Sequence, residues 1–218
     1  MPKSRRDKDY SLTKVKKKSK ETKETLVDQI RQSVDEYKTI YSFNIENLRS
    51  SKFIQIRQRF KKTSKFFFGK RNVMALALGR TAEEEIGDGL HKLAKTLQGQ
   101  CGLVFTNEKD KEFVKFFTEF DELEYARSGN IATHSVHLPA GPLTQFIFSM
   151  EPQLKRLGLP VKVAQGFVEL YDDFQVCSEG DTLTADQCKI LKLLGEKMST
   201  FKVNLVAKWS KKDGFSTF

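Results

Sequence analysis

The chain has 218 residues, of which 39% are hydrophobic and 30% charged, and its net charge is +10. This composition excludes a disordered chain, since the length and apolar content suffice for one large domain or two small ones. It contains no run of 18 apolar residues and its N-terminus is polar, so we expect a soluble, non-secreted protein with no membrane partner.

Two segments carry the positive charge. Residues 1–23 contain ten Lys or Arg and three acids, and residues 49–72 contain nine Lys or Arg and no acid. The rest of the chain is therefore acidic, with a net charge of −6. Such a distribution is typical of proteins that bind a polyanion, most often nucleic acid, and a solvated charged face is the alternative interpretation.

The first 120 residues predict alternating helices and strands behind a flexible basic tail at residues 1–20. The predicted helices are 21–37, 51–62, 72–78, 81–98 and 108–120, and the helix at 81–98 is expected to break at its glycines. The predicted strands are 40–46, 65–69 and 101–106. This order favours an α/β fold, a sheet with helical crossovers arranged in a three-layer-like domain.

After Tyr125 the sequence becomes rich in turn residues and short strand patterns. The predicted strands are 134–138, 161–164, 166–171 and 174–177, followed by a helix with Cys188, Leu191, Leu194 and Met198 facing inward and by a last strand at 201–209. We predict a small inserted α+β domain at 127–198. The main domain would then comprise 21–126 and 199–210, with the last strand returning to the first sheet.

Enzymatic sites find little support. Gly69 and Lys70 match half of a phosphate-binding loop, but Ser64 replaces its first glycine and Arg71 its hydroxyl residue. His134 and His137 are three residues apart in a predicted strand, so their side chains point to opposite faces and would not share a metal ion. We therefore predict a non-enzymatic protein that uses no cofactor and no metal.

The cysteines predict no chemistry either. Cys101, Cys177 and Cys188 are odd in number and show no CxxC spacing. Buried, reduced thiols in an intracellular compartment are the simplest interpretation.

A nucleic-acid site has a clearer physical basis. Arg and Lys neutralise phosphates, Asn both donates and accepts hydrogen bonds, and Gly69 would let the backbone approach a sugar-phosphate edge. We expect a basic helix and the end of the next strand to converge at one end of the sheet and to recognise a folded RNA by shape and backbone. Phe66, Phe67 and Phe68 are predicted to be mostly core residues. The candidate RNA-binding residues are Lys52, Arg57, Arg59, Lys61, Lys62, Lys70, Arg71 and Asn72.

The stretch "FFFGKRNVMALAL" resembles the strand–GKN–helix segment of the ribosomal stalk-base protein family. Further matching stretches are "GLVFT", "YARSGNIATHSVHLPAGP", "LKRLGLPVKVAQGFVEL" and "LTADQCKILKLLGEKMSTFKVNL", so that the resemblance covers residues 20–208. It implies the archaeal and eukaryotic branch, with an inserted domain. It also implies an rRNA contact at Lys70, Arg71 and Asn72, to which the preceding basic helix contributes, and a neighbouring ribosomal protein of the L-eleven family.

Two departures distinguish this chain within the family. Stalk-base proteins continue past the last strand into helices that bind acidic stalk dimers, whereas this sequence stops soon after "LVAKW". Its extended basic N-terminus resembles a nuclear branch of the family. That branch implies an assembly factor in the nucleolus, which occupies the stalk-base rRNA of the pre-60S particle until the stalk protein replaces it and which binds no acidic stalk dimers. The alternatives are a stalk-base protein without its tail and a nucleotide-dependent enzyme.

Overall fold

The computed structural model describes residues 20–164 and 166–218. The helices are α1 (Lys20–Glu36), α2 (Ser50–Arg59), α3 (Arg71–Leu78), α4 (Leu90–Lys95), α5 (Asp110–Glu119), α6 (Glu151–Arg156) and α7 (Ala185–Leu194). The strands are β1 (Thr39–Glu46), β2 (Ser64–Phe67), β3 (Cys101–Thr106), β4 (Asp121–Glu124), β5 (Val136–Leu138), β6 (Gly141–Ile147), β7 (Val161–Ala164), β8 (Phe167–Leu170), β9 (Phe174–Cys177), β10 (Ser199–Ser210) and β11 (Gly214–Thr217). The predicted basic tail lies outside the described residues, apart from Lys20, which begins α1.

The main sheet has the strand order β11-β10-β1-β3-β2, and β4 pairs with β10. Strand β2 runs antiparallel to β3, with Phe67 opposite Leu103, and β10 runs antiparallel to both β4 and β11. The predicted last strand thus joins the sheet of the first one. The predicted α/β fold class is confirmed.

By their internal contacts the residues divide into two compact units. The first comprises the described residues up to 42 together with 64–107 and 206–218, and the second comprises 43–63 and 108–205. The core of the first unit brings α1, α3 and α4 together with β3. Trp209 closes one side of it, where its indole Nε1 donates to the Asp88 carbonyl oxygen at 2.8 Å.

The helix predicted over 81–98 is wrong for its first half. Only Leu90–Lys95 is helical, and the segment before it forms turns. Gly79 and Gly89 have φ angles of +99° and +85°, in the left-handed region that favours glycine, so the helical pattern is interrupted at both. Ile86, an apolar residue of this segment, is 42% exposed.

The second unit contains the predicted inserted segment together with α2 and α5. Two small sheets, β5-β9 and β6-β8-β7, pack with α6 and α7 around buried Leu154, Val168 and Leu191. A capping box formed by Thr184 and Gln187 begins α7. Gly195, with φ +85°, ends it, so Met198 is buried as predicted but lies beyond the helix.

Cysteine burial is only partly as predicted. All three thiols are free, and Cys101 and Cys177 are buried. Cys188 is half-buried instead, because it lies on the partly exposed side of α7.

Candidate nucleic-acid interface

The predicted RNA-binding residues fall into two groups, one in each unit. Lys70 directly precedes α3, and Arg71 and Asn72 are the first two residues of that helix; this junction in the first unit is called here the basic turn. The other predicted residues lie on α2 or directly after it, in the second unit. The convergence of these two groups of cations at one end of the sheet stays a prediction.

The basic turn is held by the buried elements on either side of it. Phe67, the last residue of β2, is buried and packs edge-on against Phe105 with 5.3 Å between the ring centroids. On the helical side, Met74, Ala77 and Leu78 are buried. The side chains of Lys70, Arg71 and Asn72 are all exposed. The apolar residues therefore fix the backbone while the cationic and amide groups face solvent.

The first turn of α3 presents backbone donors. The Lys70 carbonyl oxygen accepts from the amides of Val73 and Met74, at 2.8 and 3.1 Å. No side chain among the described residues caps this helix. The amides of Arg71 and Asn72 precede the first intrahelical hydrogen bonds, so they are oriented to donate to an anion.

Gly69 has a packing role that the sequence did not reveal. A Cβ at this position would lie 2.6 Å from Cδ2 of Leu26 in α1. Its φ angle is not in the left-handed region. The missing side chain thus makes room for α1, and the predicted approach of this backbone to a sugar-phosphate edge stays a prediction.

Ser64 argues against a phosphate loop. It occupies the position of the loop's first glycine, yet it begins β2, is buried, and donates a hydrogen bond through Oγ to Oγ1 of Thr106 at 2.8 Å. Of the three phenylalanines, Phe67 is fully in the core, whereas Phe68 is 38% exposed. The expectation that most of them are core residues holds fully only for Phe67, because successive side chains of a strand point to opposite faces and Phe68 lies beyond the end of β2.

Sequence reasoning missed Arg80, a further cation beside the basic turn. Its Nη2 donates to the carbonyl oxygen of Asn72 at 3.4 Å. Arg80 lies two residues beyond the end of α3, after Gly79, so helical spacing in the sequence could not have placed it beside Asn72. The charge of Arg71 also influences the thiol of Cys101, the first residue of β3. Burial raises the pKa of the Cys101 thiol, and the nearby positive charge of Arg71 opposes that rise.

The cations on and after α2 differ in whether they have a partner within the protein. Its buried face carries Phe53 and Ile56. Arg57 and two lysines shortly after the helix, Lys61 and Lys62, are exposed and form no ion pair with any described residue. These three are available to neutralise phosphates.

The remaining two cations of α2 have partners within the protein. Lys52 forms an ion pair with Glu122, whose hydrogen bond raises the pKa of Lys52. The Arg59 guanidinium lies 4.3 Å from the ring centroid of Phe116, a cation–π geometry. Both residues therefore stabilise the second unit, a role that their charge pattern in the sequence did not show.

The described residues form neither a metal cluster nor a membrane-spanning helix. Among residues 20–164 and 166–218, no group of three or more His, Cys, Asp or Glu side chains is placed to hold a metal ion. Within the same part of the chain, no helix is long and apolar enough to span a bilayer.

Comparison with known families agrees with this arrangement. The model of the ribosomal protein L10 family matches residues 18–122, and the model of the insertion domain found in the 60S ribosomal protein of that family matches residues 126–195. The basic turn and α2 both lie in the first of these matches.

Individual relatives extend over nearly the whole chain. The ribosome assembly factor mrt4 of Neurospora crassa is 38% identical, over 98% of this chain and 92% of its own length. The mrt4 protein of Dictyostelium discoideum is 39% identical, over 96% of this chain and 94% of its own. The large ribosomal subunit protein uL10 of Saccharomyces cerevisiae is 25% identical, over 86% of this chain and 59% of its own length.

The chain belongs to the ribosomal protein L10 family, in the group of the ribosome assembly factors named mrt4. The predicted family membership is confirmed. The names of these relatives describe an assembly factor and a ribosomal protein, which suggests a non-enzymatic role.

Proposed function

We propose that this protein is a non-catalytic assembly factor of the large ribosomal subunit that binds the stalk-base rRNA. The observation that carries the proposal is the basic turn, in which Lys70 and Arg71 are exposed and form no ion pair with described residues. Because buried neighbours fix the backbone of the turn, binding costs little backbone entropy, and cations without an ion pair need not break one before they neutralise a phosphate.

The cations of the second unit form a second proposed phosphate contact. Arg57, Lys61 and Lys62 neutralise further phosphates, whereas Lys52 and Arg59 position α2 through Glu122 and Phe116. Because phosphate contacts carry little sequence information, the RNA is recognised by the spacing of its backbone, as expected for a folded rRNA element.

The proposal includes a temporary role. The protein occupies the stalk base of the pre-60S particle in the nucleolus, beside the L-eleven-family protein, until the stalk protein replaces it. It binds no acidic stalk dimers. The sequence identities support this role over that of a stalk protein, since the chain is 38% and 39% identical to the mrt4 relatives and 25% identical to the uL10 protein.

The double variant Lys70→Glu with Arg71→Glu tests the RNA contact. We expect its affinity for a stalk-base rRNA fragment, measured by fluorescence anisotropy, to fall by about tenfold or more. The slope of log K against log salt concentration should become shallower by about two units, one per lost phosphate contact. Circular dichroism should show an unchanged fold, since both side chains are exposed.

A matched control is available on α7. Lys189 and Lys192 are also exposed, and their replacement by Glu changes the net charge by the same amount. The control should bind more tightly than the basic-turn variant. Equal affinities of the two variants would contradict a site at the basic turn.

The assembly role is tested separately in cells. The tagged protein should sediment with pre-60S particles in a sucrose gradient and should be absent from translating ribosomes. Recovery mainly from mature ribosomes would favour a stalk-base ribosomal protein instead.

A further inference from the structure

The side chain of Arg80 turns back toward the helix that precedes it. Arg80 lies two residues beyond the end of α3, yet its Nη2 donates to the carbonyl oxygen of Asn72 at 3.4 Å. Asn72 is the second residue of α3 and belongs to the basic turn. A cation from beyond the far end of the helix therefore reaches the first turn of α3, where the basic turn lies.

Gly79 allows the chain to fold in this way. Its φ angle of +99° lies in the left-handed region, so α3 ends here and the backbone changes direction before Arg80. A Cβ at Gly79 would lie 2.5 Å from Cα of Glu85 and 2.8 Å from the carbonyl oxygen of Glu84. These neighbours are backbone atoms, which cannot move aside as a flexible side chain does. Close backbone packing after the helix thus sets the position from which Arg80 extends.

The guanidinium of Arg80 keeps most of its hydrogen-bonding capacity. A guanidinium has five N–H donors, and the Asn72 carbonyl oxygen occupies one of them. The side chain is exposed and forms no ion pair with any described residue. Its hydrogen bond to Asn72 is long and solvent-exposed, so little free energy is lost when a phosphate takes the guanidinium. The remaining donors form the planar fork that binds a phosphate through two parallel hydrogen bonds.

The chain between the basic turn and Arg80 contributes no negative charge. No acid occurs from Arg49 to Ala82, so the acid-free segment of the sequence continues past α3. On the exposed side of α3, Asn72 and Leu76 are four residues apart and lie on one face of the helix. A polyanion that reaches from the basic turn to Arg80 therefore meets an amide and an apolar side chain, but no carboxylate of this helix.

We propose that Arg80 binds a phosphate of the rRNA adjacent to the phosphate bound at the basic turn. The inference rests on the proposed function, because the ligand is the same rRNA. Lys70 and Arg71 contact the RNA from the start of α3, and Arg80 contacts it from the segment that follows the helix. Two neighbouring phosphates are then held at a spacing fixed by one short helix, which adds to the recognition of backbone shape.

A matched pair of arginines tests the contribution of Arg80. Arg31 on α1 is also exposed and forms no ion pair with described residues. Arg80→Gln should weaken binding of the stalk-base rRNA fragment several-fold and make the salt slope shallower by about one unit. Arg31→Gln should leave both unchanged. Arg80→Lys should keep the salt slope but bind more weakly than the wild-type protein, because it retains the charge and loses the fork.

Chemically modified RNA locates the contact. Single phosphates of the fragment are replaced one at a time by neutral methylphosphonates, and each RNA is bound to the wild-type protein, to Arg80→Gln and to the basic-turn double variant. The phosphate that contacts Arg80 should matter to the wild-type protein but not to Arg80→Gln. The phosphate next to it should lose its effect in the basic-turn variant instead. Coupling of Arg80 to a phosphate distant from that one would contradict the inference.

The outcomes separate failure of the inference from failure of the proposed function. If Arg80→Gln binds like Arg31→Gln while the basic-turn variant binds weakly, or if no phosphate is coupled to Arg80, the inference is overturned and the proposed function stands. If the basic-turn variant binds as tightly as the wild-type protein, both are overturned. Weaker binding by Arg80→Gln, with its coupled phosphate next to that of the basic turn, supports both.

Discussion

The side-chain amide of Asn130 donates a hydrogen bond to the side-chain oxygen of Asn47, 83 residues earlier, at 3.1 Å. The same amide donates to Oγ of Ser199 at 3.0 Å, and the amide of Asn47 donates to the Thr200 carbonyl oxygen at 2.9 Å. Asn47 has a φ of +50°, a conformation that Asn tolerates better than most residues. The turn after β1 is thereby bonded to both ends of the predicted inserted segment, all within the second unit.

This network predicts that Asn130 stabilises the second unit. Asn130→Ala removes two hydrogen bonds, one exposed and one part-buried, so we expect the free energy of unfolding to fall by about 1–2 kcal/mol in urea titrations. Asn204 provides the comparison, since its amide makes a single exposed hydrogen bond to Glu46. Asn204→Ala should cost less. If the two substitutions cost the same, the network contributes nothing beyond a surface hydrogen bond.

Arg57 and Arg59 should separate binding from stability. Arg57→Ala removes an exposed, unpaired cation, so we expect weaker binding to the rRNA fragment and an unchanged melting temperature. Arg59→Ala also removes the guanidinium above Phe116, and we expect a loss of about 0.5–1 kcal/mol of stability. Anisotropy and thermal denaturation of both variants measure the two effects. A lower melting temperature for Arg57→Ala alone would contradict this division.

Gly69 and Leu26 should be energetically coupled. Gly69→Ala places a methyl group against Cδ2 of Leu26, and the leucine must shift, at a cost of about 1–2 kcal/mol. In the Leu26→Ala background the added methyl group meets only Met74, whose Cγ lies at an ordinary contact distance of 3.5 Å, so the same substitution should cost much less. Chemical denaturation of the four proteins in this double-mutant cycle gives the coupling. Additive effects would show that the contact carries no strain.

Glu85 predicts a pH-dependent contribution to stability. Its carboxylate accepts from the backbone amide of His91 at 3.0 Å and contacts Nδ1 of the same residue at 2.6 Å. The hydrogen bond from the His91 amide is the main reason that the pKa of Glu85 falls to about 2, from an ordinary value of 4.5. Since the folded pKa is the lower one, the stabilisation is complete above pH 4.5 and is lost as the pH falls toward 2.

The variant Glu85→Gln makes that dependence measurable. The wild-type protein should be the more stable one at neutral pH, and the difference in free energy of unfolding should shrink steadily between pH 4.5 and 2. Taking the difference between the two proteins cancels the contributions of all other carboxylates to the free energy of unfolding. A difference that stays constant over this interval would assign the effect of the substitution to packing rather than to the charge.

Much of the fold could be predicted where the hydrophobic period was long and uninterrupted. Helix α1 and strands β1, β3 and β10 agree with their predicted ranges within a few residues. Strands β4 and β6 were missed, because "DELE" reads as a charged loop and β6 begins with Gly141 and Pro142, which are turn signals. Their pairing with β10 and β8 compensates for weak local preferences.

The candidate site was predictable to a similar extent. Charge counting alone identified both groups of cations, because an acid-free segment of 24 residues is visible without a structure. It could not distinguish Arg57 from Arg59, two residues apart on one helix, since that distinction depends on Phe116 in α5. The charge count also could not show that Arg80 donates to the carbonyl oxygen of Asn72, or that Leu26 of α1 packs against Gly69.

Residue identity and local periodicity were enough to predict the composition of the site, the α/β class and the family. Which cations are free for a ligand depends on the fold, because an ion pair or a ring contact involves residues distant in the chain. Tertiary packing also sets the Leu26 side chain of α1 against Gly69, the residue before the basic turn.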